Sequence, residues 1–135
     1  MLFVLAFLTL FNTGKPGIKV DSAWIRPADK GMNSALYFEI KNNTDKPDTL
    51  YDVSSDAAKM VMIHESFKKD GLMGMRHIKF LVIKARSSVK LEPGGYHVMF
   101  IQLKKKLKAG NHINAVLHFK DAGAIKIKPL VKKQT

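Results

Sequence analysis

Short apolar segments, each followed by a cluster of turn-forming residues, repeat along most of the chain. Nine of these segments predict β-strands, over residues 19–25, 35–41, 49–53, 59–67, 72–80, 89–91, 96–103, 113–120 and 124–131. Gly, Pro, Asn and Asp separate the segments, and no stretch keeps the 3.6-residue period of an amphipathic helix. Many short strands at near-even spacing predict an all-β fold class, built as an antiparallel sandwich or barrel.

The segment at residues 113–120 shows how the two faces of a predicted strand divide. Its odd positions are all apolar, whereas its even positions include Asn114 and His118. Because successive side chains of a strand point to opposite faces, the odd positions are predicted to be buried. His118 is therefore interpreted as a solvated surface residue, and His112, which follows a Gly-Asn turn signal, receives the same interpretation.

An apolar run, LFVLAFLTLF at residues 2–11, lies near the start of the chain. It is too short to span a bilayer, which takes about 20 residues, and it is typical of the apolar region of a signal peptide. Small and polar residues follow before Lys15, so we predict a signal peptide over residues 1–14 and a mature domain over residues 15–135. The alternative is a buried N-terminal strand. We expect export, with no stable membrane span after processing.

Composition narrows the classes of protein further. A chain of 135 residues is expected to form one domain around a single core. The absence of Cys excludes disulfides, thiolate nucleophiles, iron–sulfur clusters and zinc fingers. The net charge of +12 suits an anionic partner, such as an acidic protein surface. The lysines are scattered and do not alternate with aromatic residues, so nucleic-acid binding is not predicted.

Methionine and histidine occur together in three of the predicted strands. The residues concerned are Met60, Met62 and His64 in the first, Met73, Met75 and His77 in the second, and His97 and Met99 in the third. Within each strand these positions differ by two, so their side chains are predicted to share one face. The pattern therefore predicts up to three sets of soft ligands on sheet faces.

The first two of these strands read as a hairpin, and its loop decides which residues meet. A four-residue loop at residues 68–71 would place His64 directly opposite Met75. A two-residue turn at Asp70 and Gly71 would place His64 opposite His77 instead. Side chains directly opposed across two strands have Cβ atoms about 4.5–5.5 Å apart, close enough to share one metal ion. The sequence leaves both registers open.

The candidate metal ligands are His64, Met75, His97 and Met99. Two imidazoles and two thioethers form a soft, neutral set that suits Cu(I), whereas calcium and magnesium prefer oxygen ligands. Structural zinc usually takes thiolates or a third nitrogen or oxygen ligand. The opposing interpretation is that each His–Met pair is packing, and Met60, Met62 and Met73 are expected to fill gaps in the core.

At these residues the sequence resembles the PCuAC-type periplasmic copper chaperones. The family motif is His, ten residues, Met, twenty-one residues, His, one residue, Met, and the four candidate ligands have this spacing. The surrounding sequence is similar as well, in AWIRP at residues 23–27, ALYFEIKN at 35–42, DGLMGMR at 70–76 and LEPGGYHVMF at 91–100. The resemblance covers residues 22–131, nearly the whole predicted mature chain.

The resemblance implies a cupredoxin-like, Greek-key β-sandwich that is exported to the periplasm and binds Cu(I) at one mouth of the sandwich. It implies that His64, Met75, His97 and Met99 are the copper ligands, and that the Pro93–Gly95 turn places the last two at a strand start. It also implies a metallochaperone that delivers copper toward the binuclear copper centre of cytochrome c oxidase, with the copper domain of subunit II as partner.

Three other functions were weighed against delivery. A periplasmic protein that sequesters or buffers copper, without a dedicated client, would have the same ligands. A metal-free adhesion or assembly sandwich would use the same fold. An enzyme is not predicted, because no carboxylate pair, Ser–His arrangement or Gly-rich phosphate loop is placed for chemistry.

Overall fold

The computed structural model describes residues 17–134, and the predicted signal peptide at residues 1–14 lies outside them. The described residues form strands β1 (Ile18–Ile25), β2 (Ser34–Asn42), β3 (Asp48–Ser54), β4 (Ala58–Lys69), β5 (Leu72–His77), β6 (Leu81–Ile83), β7 (Ser88–Lys90), β8 (Tyr96–Leu103), β9 (Ala115–Phe119), β10 (Gly123–Ile127) and β11 (Leu130–Val131). Within residues 17–134, no helix has the length and apolarity needed to cross a membrane. The predicted all-β fold class is confirmed.

The strands form two sheets. The larger sheet has the order β11-β1-β2-β8-β4-β5, with β7 paired to β2, and the smaller has the order β10-β9-β3-β6. All pairs are antiparallel except β1 with β11, which is parallel, so the prediction of a wholly antiparallel sandwich was wrong for that pair.

Two predicted strands are divided in the structure. The segment at residues 72–80 ends as a strand at His77, and a separate strand, β6, then pairs with β3 in the smaller sheet. The chain thereby passes from one sheet to the other. The segment at residues 124–131 is interrupted before β11, where Pro129 has no N–H to donate to a ladder.

The core lies between the two sheets and consists of alternate residues of the long strands. The larger sheet contributes Leu36, Phe38, Ile40, Ile63, Val98 and Phe100, and the smaller contributes Leu50, Val53, Ala115, Leu117 and Phe119. Because side chains alternate, the residues between these on β8 and β4 point away from the core. The candidate ligands on those strands occupy this outer face.

One buried carboxylate joins the strands of the smaller sheet. The Asp48 side chain accepts hydrogen bonds from three backbone N–H groups, those of Thr49 at 2.7 Å, Asp121 at 2.9 Å and Ala122 at 2.9 Å. Charge-assisted bonds of this kind are stronger than neutral ones. Asp48 therefore holds the turn between β9 and β10 against the start of β3.

Candidate metal centre

Three adjacent strands, β8, β4 and β5, bring the candidate ligands together on the outer face of the larger sheet. His97 is paired with His64, and Met99 is paired with Met62, across β8 and β4. Directly paired residues present their side chains on the same face of a sheet. The parity predicted from the sequence thus places both histidines and Met99 side by side.

The β4–β5 hairpin adopts the register with the two-residue turn. Lys69 pairs with Leu72, and Asp70 and Gly71 both have positive φ, at 52° and 79°. Positive φ at both central positions defines the type I′ turn that Asp-Gly favours. His64 is therefore opposite His77, and Met75 is opposite Ser66, one diagonal step from His64 on the same face.

The opposite face of the hairpin holds this register in place. Phe67 is paired with Gly74, and a Cβ atom added at Gly74 would lie only 2.7 Å from the ring of Phe67. The guanidinium of Arg76 lies 4.7 Å from the centroid of the same ring and bonds to Glu65 at 3.1 Å. The aromatic ring thus packs on a backbone without a side chain, and this contact stabilises the strand that carries Met75.

A tight turn sets the position of His97. The N–H of Gly95 donates to the carbonyl oxygen of Glu92 at 3.0 Å, and Gly94 has φ of 89°. Pro followed by a positive-φ glycine is typical of a type II turn. The turn leads directly into β8, so His97 is the second residue of that strand, as the sequence indicated.

The two imidazoles approach each other with free nitrogen atoms. The ring centroids of His64 and His97 are 5.7 Å apart, with the planes nearly perpendicular at 77°. Nδ1 of His64 and Nε2 of His97 are both buried, and neither has a hydrogen-bond partner among residues 17–134. Buried polar atoms are almost always paired, so two unpaired nitrogens on adjacent strands mark a site for a ligand.

The backbone fixes the tautomer of His97. Its Nδ1 lies 3.3 Å from the carbonyl oxygen of Gly95, which can only accept a hydrogen bond, so Nδ1 carries the proton. Nε2 of a neutral ring is then left with its lone pair available. Metal-binding histidines typically have their other ring nitrogen bonded in this way.

Both rings favour the neutral form that a metal requires. Burial lowers the pKa of His64 below the usual imidazole value, and the neighbouring His97 and His77 lower it further. Burial also lowers the pKa of His97; the Gly95 bond opposes this shift, and the charge of Arg26 adds to it. The imidazoles are thus neutral at pH 7 and above.

A shallow depression of about 300 Å³ opens over the cluster. Met75, His97 and Met99 line it together with residues of the neighbouring strands and turn, namely Arg26, Asn33, Ser34, Ala35, Tyr37, Ser66 and Gly94. Exposure across the cluster is uneven, because His97 is 3% exposed and Met75 is 57% exposed. The site is therefore closed on the β8 side and open on the β5 side.

The other methionines do not fill the core, and that prediction was wrong. Met60 is 53% exposed and Met73 is 67% exposed, while Met62 is partly buried on the outer face beside Met99. The parity that unites the candidate ligands carries these residues to the same outward face. They extend the thioether surface along β4 and β5 on either side of the cluster.

The sequence analysis missed a row of aromatic rings behind His97. Tyr37 lies next to it, with ring centroids 6.4 Å apart, and Trp24 packs on Tyr37 at 4.8 Å. Both were interpreted only as packing residues. Their strands, β2 and β1, continue the sheet beyond β8, so their rings shield His97 from solvent. Strand order was the missing information.

The arrangement is a cupredoxin-like β-sandwich with a histidine–methionine cluster on the outer face of its larger sheet. Within residues 17–134, no three His, Asp or Glu side chains form a group that could hold a metal ion. Without such a group, the cluster suits soft metals rather than hard ones.

Comparison with known proteins places the chain in a family. Residues 18–131 match the family model described as "Putative lipoprotein LpqE-like", and the chain belongs to this LpqE-like family. It is 33% identical over 117 residues to "Putative lipoprotein Lxx21020" of Leifsonia xyli subsp. xyli, covering 86% of this chain and 70% of that protein. It is 30% identical over 103 residues to the uncharacterized protein RP573 of Rickettsia prowazekii, covering 73% of this chain and 57% of that protein.

Solved structures with the same fold are PCuAC domains, which confirms the resemblance seen in the sequence. The copper-bound PCuAC domain from PmoF2 superposes with a TM-score of 0.73 at 26% identity, over 87% of this chain and 93% of that one. The apo PCuAC domain from PmoF1 gives 0.73 at 29% identity, over 90% and 98%. The solution structure of CuI-DR1885 from Deinococcus radiodurans gives 0.72 at 26% identity, over 96% and 87%.

Proposed function

We propose that this protein is an exported copper carrier that binds Cu(I) through His64, Met75, His97 and Met99. The observation that carries the proposal is the pair of buried imidazole nitrogens, Nδ1 of His64 and Nε2 of His97, which lack partners among the described residues. They lie on the face that also carries both thioethers. Thioether sulfur selects Cu(I), and imidazole binds copper readily.

The comparisons support this choice of metal. Two of the solved structures that the chain resembles are a copper-bound PCuAC domain and a CuI-bound protein. The fold coverage is nearly complete in both, so the outer sheet face belongs to the shared part of the structure. Four neutral ligands leave no position open for substrate, and we propose a binding protein rather than an enzyme.

The proposed role is delivery of copper in the periplasm toward the binuclear copper centre of cytochrome c oxidase, with the copper domain of subunit II as the partner. Delivery by ligand exchange requires that a partner's ligand reach the metal, and the exposed Met75 side of the cluster would admit it. The net charge of +12 would raise the rate of encounter with an acidic partner surface.

A competition titration with a Cu(I) chelator of known affinity, performed under anaerobic conditions, tests the binding site. We expect wild-type protein to bind one Cu(I), and Met75→Leu and Met99→Leu each to lower the affinity by about tenfold or more. Met60→Leu is the matched control, because Met60 is exposed on the same face but outside the cluster. Equal affinities for wild type, Met75→Leu and Met99→Leu would contradict the assignment of the thioethers.

A transfer experiment tests the role. Cu(I)-loaded protein is mixed with the apo copper domain of oxidase subunit II, and the absorption of the assembled binuclear centre is followed after its oxidation. Transfer faster than from free Cu(I) chelate supports delivery. Tight Cu(I) binding without transfer would contradict delivery and favour the alternative, a protein that buffers periplasmic copper.

A further inference from the structure

His77 is the one histidine close to the cluster that the proposed Cu(I) site does not use. It is the last residue of β5, it is exposed, and it is paired directly with His64. The ring centroids of His64 and His77 are 6.2 Å apart, close to the 5.7 Å between His64 and His97. Three imidazoles therefore lie side by side on three adjacent strands, with His64 in the middle.

These spacings fit rings that share an ion. A metal–nitrogen bond of about 2.0 Å places the metal about 3.1 Å from the centroid of its imidazole, so two rings on one ion have centroids about 4.4 to 6.3 Å apart as their angle at the metal opens from 90° to 180°. Both measured spacings fall inside this window. His64 could thus share an ion with either neighbour.

The third ring has the freedom to join. The His77 side chain makes no hydrogen bond or ion pair with any residue in the range 17–134, and its exposure leaves its rotamer unconstrained. The three side chains do not already form a group that could hold a metal, so His77 would have to turn toward the other two. An exposed side chain on an edge strand changes rotamer easily, in ps to ns.

Met75 and His77 offer two different ligands from the same strand. They are two residues apart, so both side chains are on the outer face of β5, one opposite Ser66 and the other opposite His64. A thioether is soft and selects Cu(I), whereas imidazole is borderline and suits Cu(II) in tetragonal sites with nitrogen and oxygen ligands. The choice between the two side chains is therefore a choice between oxidation states.

We propose that His77 joins His64 and His97 to form a Cu(II) site, so that the cluster binds both oxidation states of copper through different residues of β5. The inference depends on the proposed function in one respect, that His64 and His97 bind copper. It goes beyond that function by assigning a ligand and a metal state that the four-residue Cu(I) site does not contain. Water would complete the tetragonal coordination of Cu(II).

Parallel titrations with the two ions test the proposal. Cu(II) affinity is measured in air and Cu(I) affinity under anaerobic reducing conditions, each by chelator competition, in the wild type, His77→Gln and Met75→Leu. His112→Gln is the matched control, because His112 is exposed and lies at a bridge to Leu130, away from β5. The Cu(II) protein is also examined by electron paramagnetic resonance, whose nitrogen couplings count the bound imidazoles.

We expect the ratio of Cu(II) to Cu(I) affinity to fall about tenfold or more in His77→Gln, and to rise in Met75→Leu. The nitrogen count should fall from three to two in His77→Gln and stay at three in His112→Gln. A His77→Gln protein with the ratio and nitrogen count of the control would overturn the inference. Absence of Cu(I) binding in the wild type would instead contradict the proposed function, and the Cu(II) spectrum would still decide the role of His77.

Discussion

Replacing His97 by leucine should stabilise the copper-free protein while it removes copper binding. His97 is 3% exposed, and its Nε2 is buried without a hydrogen-bond partner among the described residues. A buried polar atom left unpaired costs about 1–3 kcal/mol. Leucine has a similar volume and no polar atom, so this cost disappears in the variant.

The losses in the variant are smaller than the gain. The bond from Nδ1 of His97 to the oxygen of Gly95 is long, at 3.3 Å, and is worth about 1 kcal/mol or less. The Gly95 oxygen keeps a second donor, the N–H of Ser66 at 3.0 Å. Subtracting about 1 kcal/mol from a gain of about 2 kcal/mol leaves a net stabilisation of about 1 kcal/mol.

Urea unfolding with a copper chelator present measures this difference at pH 7.5. With an m-value of about 2 kcal/mol per molar urea, the midpoint of His97→Leu should exceed that of the wild type by about 0.5 M. The exposed His112→Leu control should change the unfolding free energy by less than about 0.5 kcal/mol. Cu(I) should reverse the order, since ligand at 100 times its dissociation constant stabilises only the wild type, by about 2.7 kcal/mol.

A destabilisation of His97→Leu by 1 kcal/mol or more, in the absence of copper, would refute this reasoning. It would mean that the imidazole stabilises the folded chain through its own contacts. The buried nitrogen could then no longer be interpreted as a cost that the fold accepts for the sake of a ligand.

Three further predictions concern the scaffold and pH. Asp48→Ala should lower the unfolding free energy by about 3 kcal/mol in urea, because three backbone N–H groups lose a buried charged acceptor, whereas the exposed Asp52→Ala should change it by less than about 0.5 kcal/mol; equal effects would contradict this role of Asp48. Gly74→Val should displace the Phe67 ring and lower both stability and Cu(I) affinity, and Phe67→Leu in the same chain should restore part of both; purely additive effects would show that the contact is unimportant. The pKa values of His64 and His97 are lowered in the folded state, so their contribution to stability should be complete above the usual imidazole pKa of 6.5 and be lost as the pH falls through the lower folded values; urea midpoints from pH 8 to 5 should show a steeper decline for the wild type than for the His64→Gln/His97→Leu variant.

The sequence predicts much of the fold because alternation is a local property. The predicted strands 96–103 and 35–41 lie within a residue of β8 and β2, and the parity of His97 and Met99 correctly places both on one face. The register of the hairpin depends instead on turn geometry. The Asp-Gly pair carried that information, and the positive φ values at Asp70 and Gly71 show that it decides the pairing.

Other features depend on which strands become neighbours, and a local pattern does not contain that information. The crossing from β5 to β6 and the parallel pairing of β11 with β1 both join parts of the chain that are distant in sequence or in different sheets. The burial of His97 is of the same kind, because Tyr37 reaches it from β2. Alternation alone predicts that an outer-face histidine is exposed.

The uneven burial of the cluster has a consequence for metal exchange. His97 is enclosed by the aromatic rings of β2 and β1, whereas Met75 stands on an edge strand with more than half of its surface exposed. An incoming ligand can therefore reach a bound ion only from the β5 side, and Met75 is the first ligand that it can replace. His77 is on that same side, so exchange of copper and the choice between thioether and imidazole would both take place at the edge strand, while the histidines of β4 and β8 keep their positions.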